Sequence, residues 1–541
     1  MGERIYLFDS TLRDGAQTQG VDFSASDKAE IAGLLDRMGI DYVEGGWPGA
    51  NPTDDAFFAE PPVLKNARLT AFGMTRRAGR SADNDPGLRA ILAPKTKVVT
   101  VVGKTWDFHA KVALGVSLEE NIRMIAESVA HVARHAEEVV FDAEHFFDGY
   151  KENPDFTLQC LKAAFDAGAR WIVLCDTNGG TLPHEVEAIV TEIAKTIPGD
   201  RLGIHCHDDT GNAVANSLAA VRAGVRQVQG TLNGLGERCG NANLISIIPS
   251  LMLKMGFETG ITPENLKRLT QVSHALDEKL NRAPDRGAPY VGERAFAHKG
   301  GLHVSAVEKD PRSYEHVLPD LVGNRRHIVM SDQSGRANVL ANFRDFGLEV
   351  DPNDPKVMQL LDEVKAREFN GYAYDGAEAS FELLARRALA TVPEFFKLIS
   401  FRVIDERRWN AKGELVTLSE ATIKVEVAGQ QHMTVAEGNG PVNALDTALR
   451  AVLLTVYPEV ADVRLVDYKV RILTPTEATG AVTRVMIESA DGEERWWTVG
   501  VSTNIIDASF NALRDAIDYR LLKTRGTAPI AAARPAAKKR A

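Results

Sequence analysis

Cysteine is scarce in this 541-residue chain. There are four, Cys160, Cys175, Cys206 and Cys239, and no two form a CxxC pair. Such usage excludes a disulfide framework and a zinc ribbon. Long apolar runs are missing too: no stretch of about 18 apolar residues is there to span a bilayer. The opening Met1-Gly2-Glu3-Arg4-Ile5-Tyr6 lacks a signal peptide's apolar core. Basic excess is absent, with 63 Lys and Arg against 74 Asp and Glu, a formal charge of −11. Nucleic acid rewards dense basic patches, so it is a poor partner for this chain. These absences together lead to the expectation of a cytoplasmic protein with neither a membrane nor a nucleic-acid partner.

What is present is an ordinary globular composition, 44% hydrophobic and 25% charged. The length calls for two to four domains. Short apolar runs rich in Val and Ile recur at 5–11, 42–48, 69–73, 98–103, 138–144, 171–177, 202–208 and 225–231, the pattern of buried parallel strands. Amphipathic stretches separate them. One covers 117–136, where Ser117 and Glu120 have capping-box spacing; another covers 153–169 and closes at Gly168. Eight strands in strand–helix alternation predict a (β/α)8 barrel. The alternative is an open doubly wound sheet, but no Gly-rich dinucleotide loop follows the first strand.

The expected organisation is a catalytic barrel over 1–275, a helical extension over 276–399, an α+β regulatory domain over 400–525 and a disordered tail over 526–541. Within 400–525, Asn443-Ala-Leu-Asp446 and Asn504-Ile-Ile-Asp507 each follow strand patterns, which suggests a duplicated unit with one helix per repeat.

Barrel chemistry sits at the C-terminal ends of strands. The first strand runs into Leu12-Arg13-Asp14-Gly15-Ala16-Gln17. Read alone, Arg13-Asp14 is a surface ion pair. At a barrel mouth, Asp14 suits a cation and Arg13 a substrate oxygen. His205 and His207 are two apart on a strand and so project together, with Asp208 beside them. Two imidazoles and a carboxylate suit a transition metal with open positions. Asn241, in the glycine-rich Gly234–Asn243 loop, reads equally as a helix cap or as an oxygen near the metal. Glu144 and Thr177 end the fifth and sixth strands, where a Glu can orient a base and a Thr can bind a carboxylate. His145 should face away from them, and His131 with His135 reads as an exposed helical face.

The segment Leu12–Gln17 with Lys28, and the segment from Leu202 through His205, His207 and Gly211 to Ala215, resemble the two signatures of the 2-isopropylmalate, homocitrate and citramalate synthase family. The resemblance covers nearly the whole chain. Glu44–Pro52, and Val322-Gly323-Asn324 after Tyr314, look most like the citramalate branch. The resemblance implies metal ligation by Asp14, His205 and His207 with Asn241 close by, and binding of a 2-oxo acid by Arg13 and Thr177. It implies a catalytic His303 paired with Glu144, and Tyr314 near that histidine. It further implies a divalent ion (Mn, Mg, Zn or Co), acetyl-CoA as donor and pyruvate as acceptor. The C-terminal domain would sense isoleucine, with leucine second, and the chain would form a homodimer. A branched acceptor, the reverse lyase reaction and a non-catalytic metabolite sensor are the competing readings. The sensor predicts loss of one of Arg13, Asp14, His205, His207 or His303, and all five are present.

Overall fold

The structure is a computed structural model that describes residues 3–526, apart from 390–391, 475–477, 479 and 493. The tail expected over 526–541 lies, beyond Gly526, outside the described residues. The chain divides into two compact units, residues 1–296 with 316–326, and residues 297–315 with 327–541.

The first unit is a closed barrel of eight parallel strands in sequence order, which rules out the open sheet. Its strands are β1 (Tyr6–Asp9), β2 (Tyr42–Gly46), β3 (Arg68–Met74), β4 (Val98–Lys104), β5 (Glu138–Glu144), β6 (Trp171–Asp176), β7 (Leu202–Cys206) and β8 (Gln227–Gly230). Alternation along each strand divides the side chains between two environments. On β5, Val139, Phe141 and Ala143 join the core beneath the helices, whereas Val140 belongs to the inner cluster. That cluster fills the barrel floor with Phe8, Tyr42, Val98, Val140, Trp171 and Val173, and its remaining member, Cys175, lies higher on β6 and lines the mouth. Further along the same inward rows come Glu44, Phe72, Val102, Asp142 and His205.

One local expectation needs correction, and another holds for a different reason. Ser117 does cap the helix Leu118–Ala133, its Oγ accepting from the Glu120 amide at 3.2 Å, but the reciprocal half of the box does not form. The Glu120 carboxylate instead takes hydrogen bonds from Arg76 and Arg123. His145 stays out of the cavity lining as expected, but the reason is a left-handed turn (φ 56°) into the helix Phe146–Glu152, not strand alternation.

The second unit holds a two-stranded sheet, β9 (Ala297–His298) with β10 (His327–Ile328), and helices that include Gly301–Lys309, Pro355–Phe369 and Glu378–Ala388. It continues as two repeats of three antiparallel strands and a helix. The first repeat is β11 (Phe396–Trp409), β12 (Leu415–Val427), β13 (Gln430–Gly438) and the helix Pro441–Leu453; the second is β14 (Arg464–Ile472), β15 (Thr483–Ala490), β16 (Arg495–Ser502) and the helix Ile505–Arg525. In each repeat a glycine on the third strand lets the helix press close. A Cβ on Gly438 would meet the Ala444 nitrogen at 2.4 Å, and one on Gly500 the Ala508 oxygen at 2.0 Å. Asn504 caps its helix, while Asn443 lies inside the first turn of a helix capped by Gly440. The matching tetrapeptides thus occupy different positions in related units.

No helix among the described residues is long and apolar enough to cross a membrane.

Candidate metal centre and acyl cavity

The C-terminal ends of the barrel strands enclose a cavity of about 250 Å³ whose lining includes Arg13, Asp14, Glu144, Thr177, His205 and His207. Asp14 follows β1, His205 lies in β7, and His207 follows one residue beyond it, paired as an isolated bridge with Asn241. The three residues are 4–6% exposed, and their donor atoms lie within 4.8 Å of one another. Asp14 Oδ2 is 3.4 Å from His205 Nε2 and 3.9 Å from His207 Nε2.

The arrangement around the trio fixes its chemistry. His205 Nδ1 donates to Gln229 Oε1 at 2.8 Å, and Gln229 Nε2 donates to Asp142 Oδ1 at 3.1 Å. That relay holds the His205 tautomer and leaves Nε2 for a cation. Arg13 donates through Nε to Glu44 at 2.7 Å and through Nη1 to Asp14 at 3.2 Å, with its guanidinium 3.9 Å above the Phe72 ring. Burial works against the Asp14 anion, but Arg13, His205 and His207 outweigh it and hold the carboxyl well below the usual range. Burial also works against a charged His205, yet Asp14 and Asp142 raise its pKa. Burial and the neighbouring His205 lower His207 to about 4. Burial and Glu44 push Asp142 up to about 7.

A divalent ion fits this donor set. Asp14 Oδ1, His207 Nδ1 and Asn241 Oδ1 are buried without a hydrogen-bond partner, which is costly unless something else satisfies them. Asn241 does not cap the following helix; Asn243 does, accepting from the Ile245 amide. Asn241 Nδ2 instead donates to the Leu235 carbonyl at 3.1 Å, while its Oδ1 stays buried without a partner. The glycines of this loop are sterically required. A Cβ on Gly236 would come 2.2 Å from Asn241 Nδ2, and one on Gly240, itself at φ +99°, 2.1 Å from the Gly234 oxygen.

Thr177 lines the same cavity, its Oγ1 accepting from the His145 amide at 2.9 Å, so its own proton is free to donate elsewhere. Glu144 pairs with Lys104, its neighbour in register on β4. His303 and Tyr314 belong to the second unit, where their rings stack with centroids 4.1 Å apart and both side chains are exposed. In that unit His298, not His303, is the buried histidine, 3.2 Å from Glu315. Lys28 is buried and pairs with Asp54 while donating to the Gly45 carbonyl at 3.0 Å. It therefore anchors the turn after β2, beside Glu44.

Sequence reasoning passed over Lys104, Asp142, Gln229 and Arg238. Lys104, Asp142 and Gln229 stand on strands away from the Arg13-Asp14 and His205–His207 motifs, whereas Arg238 lies within the Gly234–Asn243 loop itself. Arg238 holds Asp209 with two hydrogen bonds, 2.7 and 2.8 Å, and donates to the Thr177 carbonyl.

The barrel and this centre are matched by a family model: the chain belongs to the HMGL-like family over residues 4–275. Residues 290–370 match a homocitrate synthase post-HMGL domain-like model, and 375–521 a LeuA allosteric (dimerisation) domain. Among curated relatives, the chain is 50% identical to an (R)-citramalate synthase of Aquifex aeolicus, over 97% of this chain and 99% of that one. It is 52% identical to an (R)-citramalate synthase of Geobacter sulfurreducens, over 96% and 98%. Against a 2-isopropylmalate synthase of Rhodopseudomonas palustris the identity is 30%, over 98% and 97%.

Proposed function

We propose that the chain is an acyltransferase that condenses acetyl-CoA with pyruvate and releases citramalate and CoA, the step that supplies isoleucine synthesis. The observation that carries the reading is the buried Asp14–His205–His207 trio with its orphaned polar atoms, set beside Arg13 in a family whose half-identical, full-length relatives are (R)-citramalate synthases. The 2-isopropylmalate synthase reading, which takes a branched acceptor, stands behind it at 30% identity.

Asp14, His205 and His207 would hold a divalent ion, Mn, Mg, Zn or Co, with Asn241 beside it. When bound, the ion supplies Lewis acidity to the acceptor carbonyl. Arg13, aimed by Glu44 and Asp14, presents its remaining donors to the acceptor's developing oxygen charge. The Thr177 hydroxyl donates to the acceptor carboxylate. His303, from the extension of a second copy and steadied by Glu144, removes a proton from the acetyl methyl. Tyr314, stacked on His303, keeps the imidazole oriented. The carbanion attacks the acceptor's carbonyl carbon, and water then cleaves the thioester. The protein acts as a homodimer in the cytoplasm. Its C-terminal repeats carry feedback inhibition by isoleucine, with leucine second.

Thiol release from acetyl-CoA, measured with a divalent ion and a panel of 2-oxo acids, tests the reading. Pyruvate should give the highest kcat/KM. A clear preference for 2-oxoisovalerate would keep the chemistry and transfer the chain to the branched acceptor; no release with any acceptor would defeat the reading. His303→Ala should lower turnover at least about a hundredfold, and near-wild-type turnover would remove His303 from the mechanism.

A further inference from the structure

One cation in the cavity has no part in the chemistry above. Lys104 ends β4 and lies in register with Glu144 at the end of β5. Their side chains form an ion pair, 14% and 24% exposed, and both line the cavity. The backbone beneath the pair is fixed. Asn121 Nδ2 donates to the Lys104 carbonyl at 2.9 Å, and Thr105 donates to the Glu144 carbonyl through its amide (3.2 Å) and its hydroxyl (2.8 Å).

The topology then says which part of the reaction this cation faces. In a closed barrel of eight strands in sequence order, β4 and β5 stand across the mouth from β8 and β1. The metal-ligating trio comes from β1 and the end of β7, and Arg13 stands with it. Met74 on β3 and Val102, two residues before Lys104 on β4, line the cavity and give that side an apolar wall suited to a methyl group. Arg238 is already engaged by Asp209 and the Thr177 carbonyl. The Lys104 ammonium has three protons and, among the described residues, Glu144 is the partner recorded for it.

We propose that Lys104 is a further catalytic residue that donates a hydrogen bond to the acyl carbonyl oxygen of the thioester donor, with Glu144 holding the ammonium in place. The inference rests on the condensing activity proposed above. When the base takes the methyl proton, the C–H electron pair becomes the enolate C=C bond and the carbonyl π pair moves onto oxygen. The new negative charge sits against Lys104, which keeps its own proton. On attack, the C=C pair forms the new bond to the acceptor's carbonyl carbon and the thioester carbonyl is restored. The Lys104 contact is therefore strongest while the enolate exists, which is what raises turnover rather than affinity.

The test compares wild type, Lys104→Met and Lys104→Arg in CoA release, with ordinary and methyl-trideuterated acetyl-CoA over a range of pyruvate. Lys104→Met should lower kcat about 100–1,000-fold, leave the pyruvate KM within about threefold and be slowed at least about twofold by the deuterated donor. Lys104→Arg should recover at least about tenfold over the Met variant, because it restores a donor cation. A Met variant within about threefold of wild-type kcat, a loss carried by pyruvate KM, or a deuterium effect near one would overturn the proposal. If Lys104→Met does not fold, Lys104→Gln is read by the same criteria. Wild type that releases no CoA with any 2-oxo acid defeats the activity reading; active wild type with an indifferent Lys104 variant defeats this proposal alone.

Discussion

The floor and the mouth of the barrel are built from the same inward-facing rows of side chains, yet they are satisfied differently. At the floor, Phe8, Val98, Val140 and Val173 pack around Trp171, whose indole Nε1 donates to the Tyr42 hydroxyl at 3.2 Å; Tyr42 in turn donates to Glu138 at 2.8 Å. The unpaired atoms further in, on Thr70, Thr100 and Gln227, are neutral hydroxyls and an amide. At the mouth the unpaired buried atoms belong to Asp14, Glu44, His207 and Asn241, which are anions or metal donors. The floor is arranged for stability, and the mouth gives up stability for a bound group.

The sharpest test of that contrast is Asp14→Asn. It removes the trio's charge and one of Arg13's anions, so CoA release should fall about a thousandfold or more and bound metal should be lost. Thermal stability of the metal-free protein should fall, because a carboxyl held well below its usual range by Arg13, His205 and His207 stabilises the fold, but less than in a floor variant, because Arg13 keeps its bond to Glu44. A fall in Tm equal to that of a floor variant would erase the distinction. The reciprocal change is Trp171→Ala, which should cost about 3–5 kcal/mol of stability while turnover per folded molecule stays near wild type. Denaturant unfolding and active-site titration check it, and a turnover loss exceeding the stability loss would break the comparison. Smaller is Gln229→Leu. With the relay to Asp142 cut, His205 loses its orientation, and metal affinity should weaken about 10–100-fold with little change in Tm. An unchanged affinity would mean that the trio needs no support from β8.

The sequence makes the barrel legible because its strands are short, apolar and evenly spaced, and each observed strand falls within or beside a run read from the pattern. The trio is legible for a local reason: His205 and His207 are two apart, and Asp14 sits in a dense polar motif. Glu44, Lys104, Asp142 and Gln229 are not legible in the same way. None of them forms a spaced polar pair of the His205–His207 kind with a chemical meaning of its own, and their roles arise only when closure sets β2 beside β1, β4 beside β5 and β8 beside β7. Asn241 and Asn243 show the same limit at shorter range. Both are candidate caps by type, and the bridge to His207 is what takes Asn241 away from the helix. His145 does face away from the cavity, though by a left-handed turn at the strand's end, which alternation does not foresee.

The smallest effect is the pH dependence of metal binding, and its sign follows from His205. In the metal-free fold Asp14 and Asp142 outweigh burial and raise the His205 pKa above its ordinary value near 6.5, while His207 is already neutral above about 4. The proton shared by Asp14 and His205 therefore competes with the cation. It stabilises the metal-free protein below the unfolded His value, and that contribution is lost as pH rises through the folded pKa. Metal affinity has the opposite trend. It should fall about tenfold for each pH unit below the folded His205 pKa and level off above it, with a proton released on binding. Calorimetric titration at pH 6, 7 and 8 in buffers of different ionisation enthalpy measures both affinity and proton release. A flat affinity with no proton release across this range would mean that His205 is already neutral beside Asp14, and the mouth would then hold its unpaired donors without a proton to stand in for the metal.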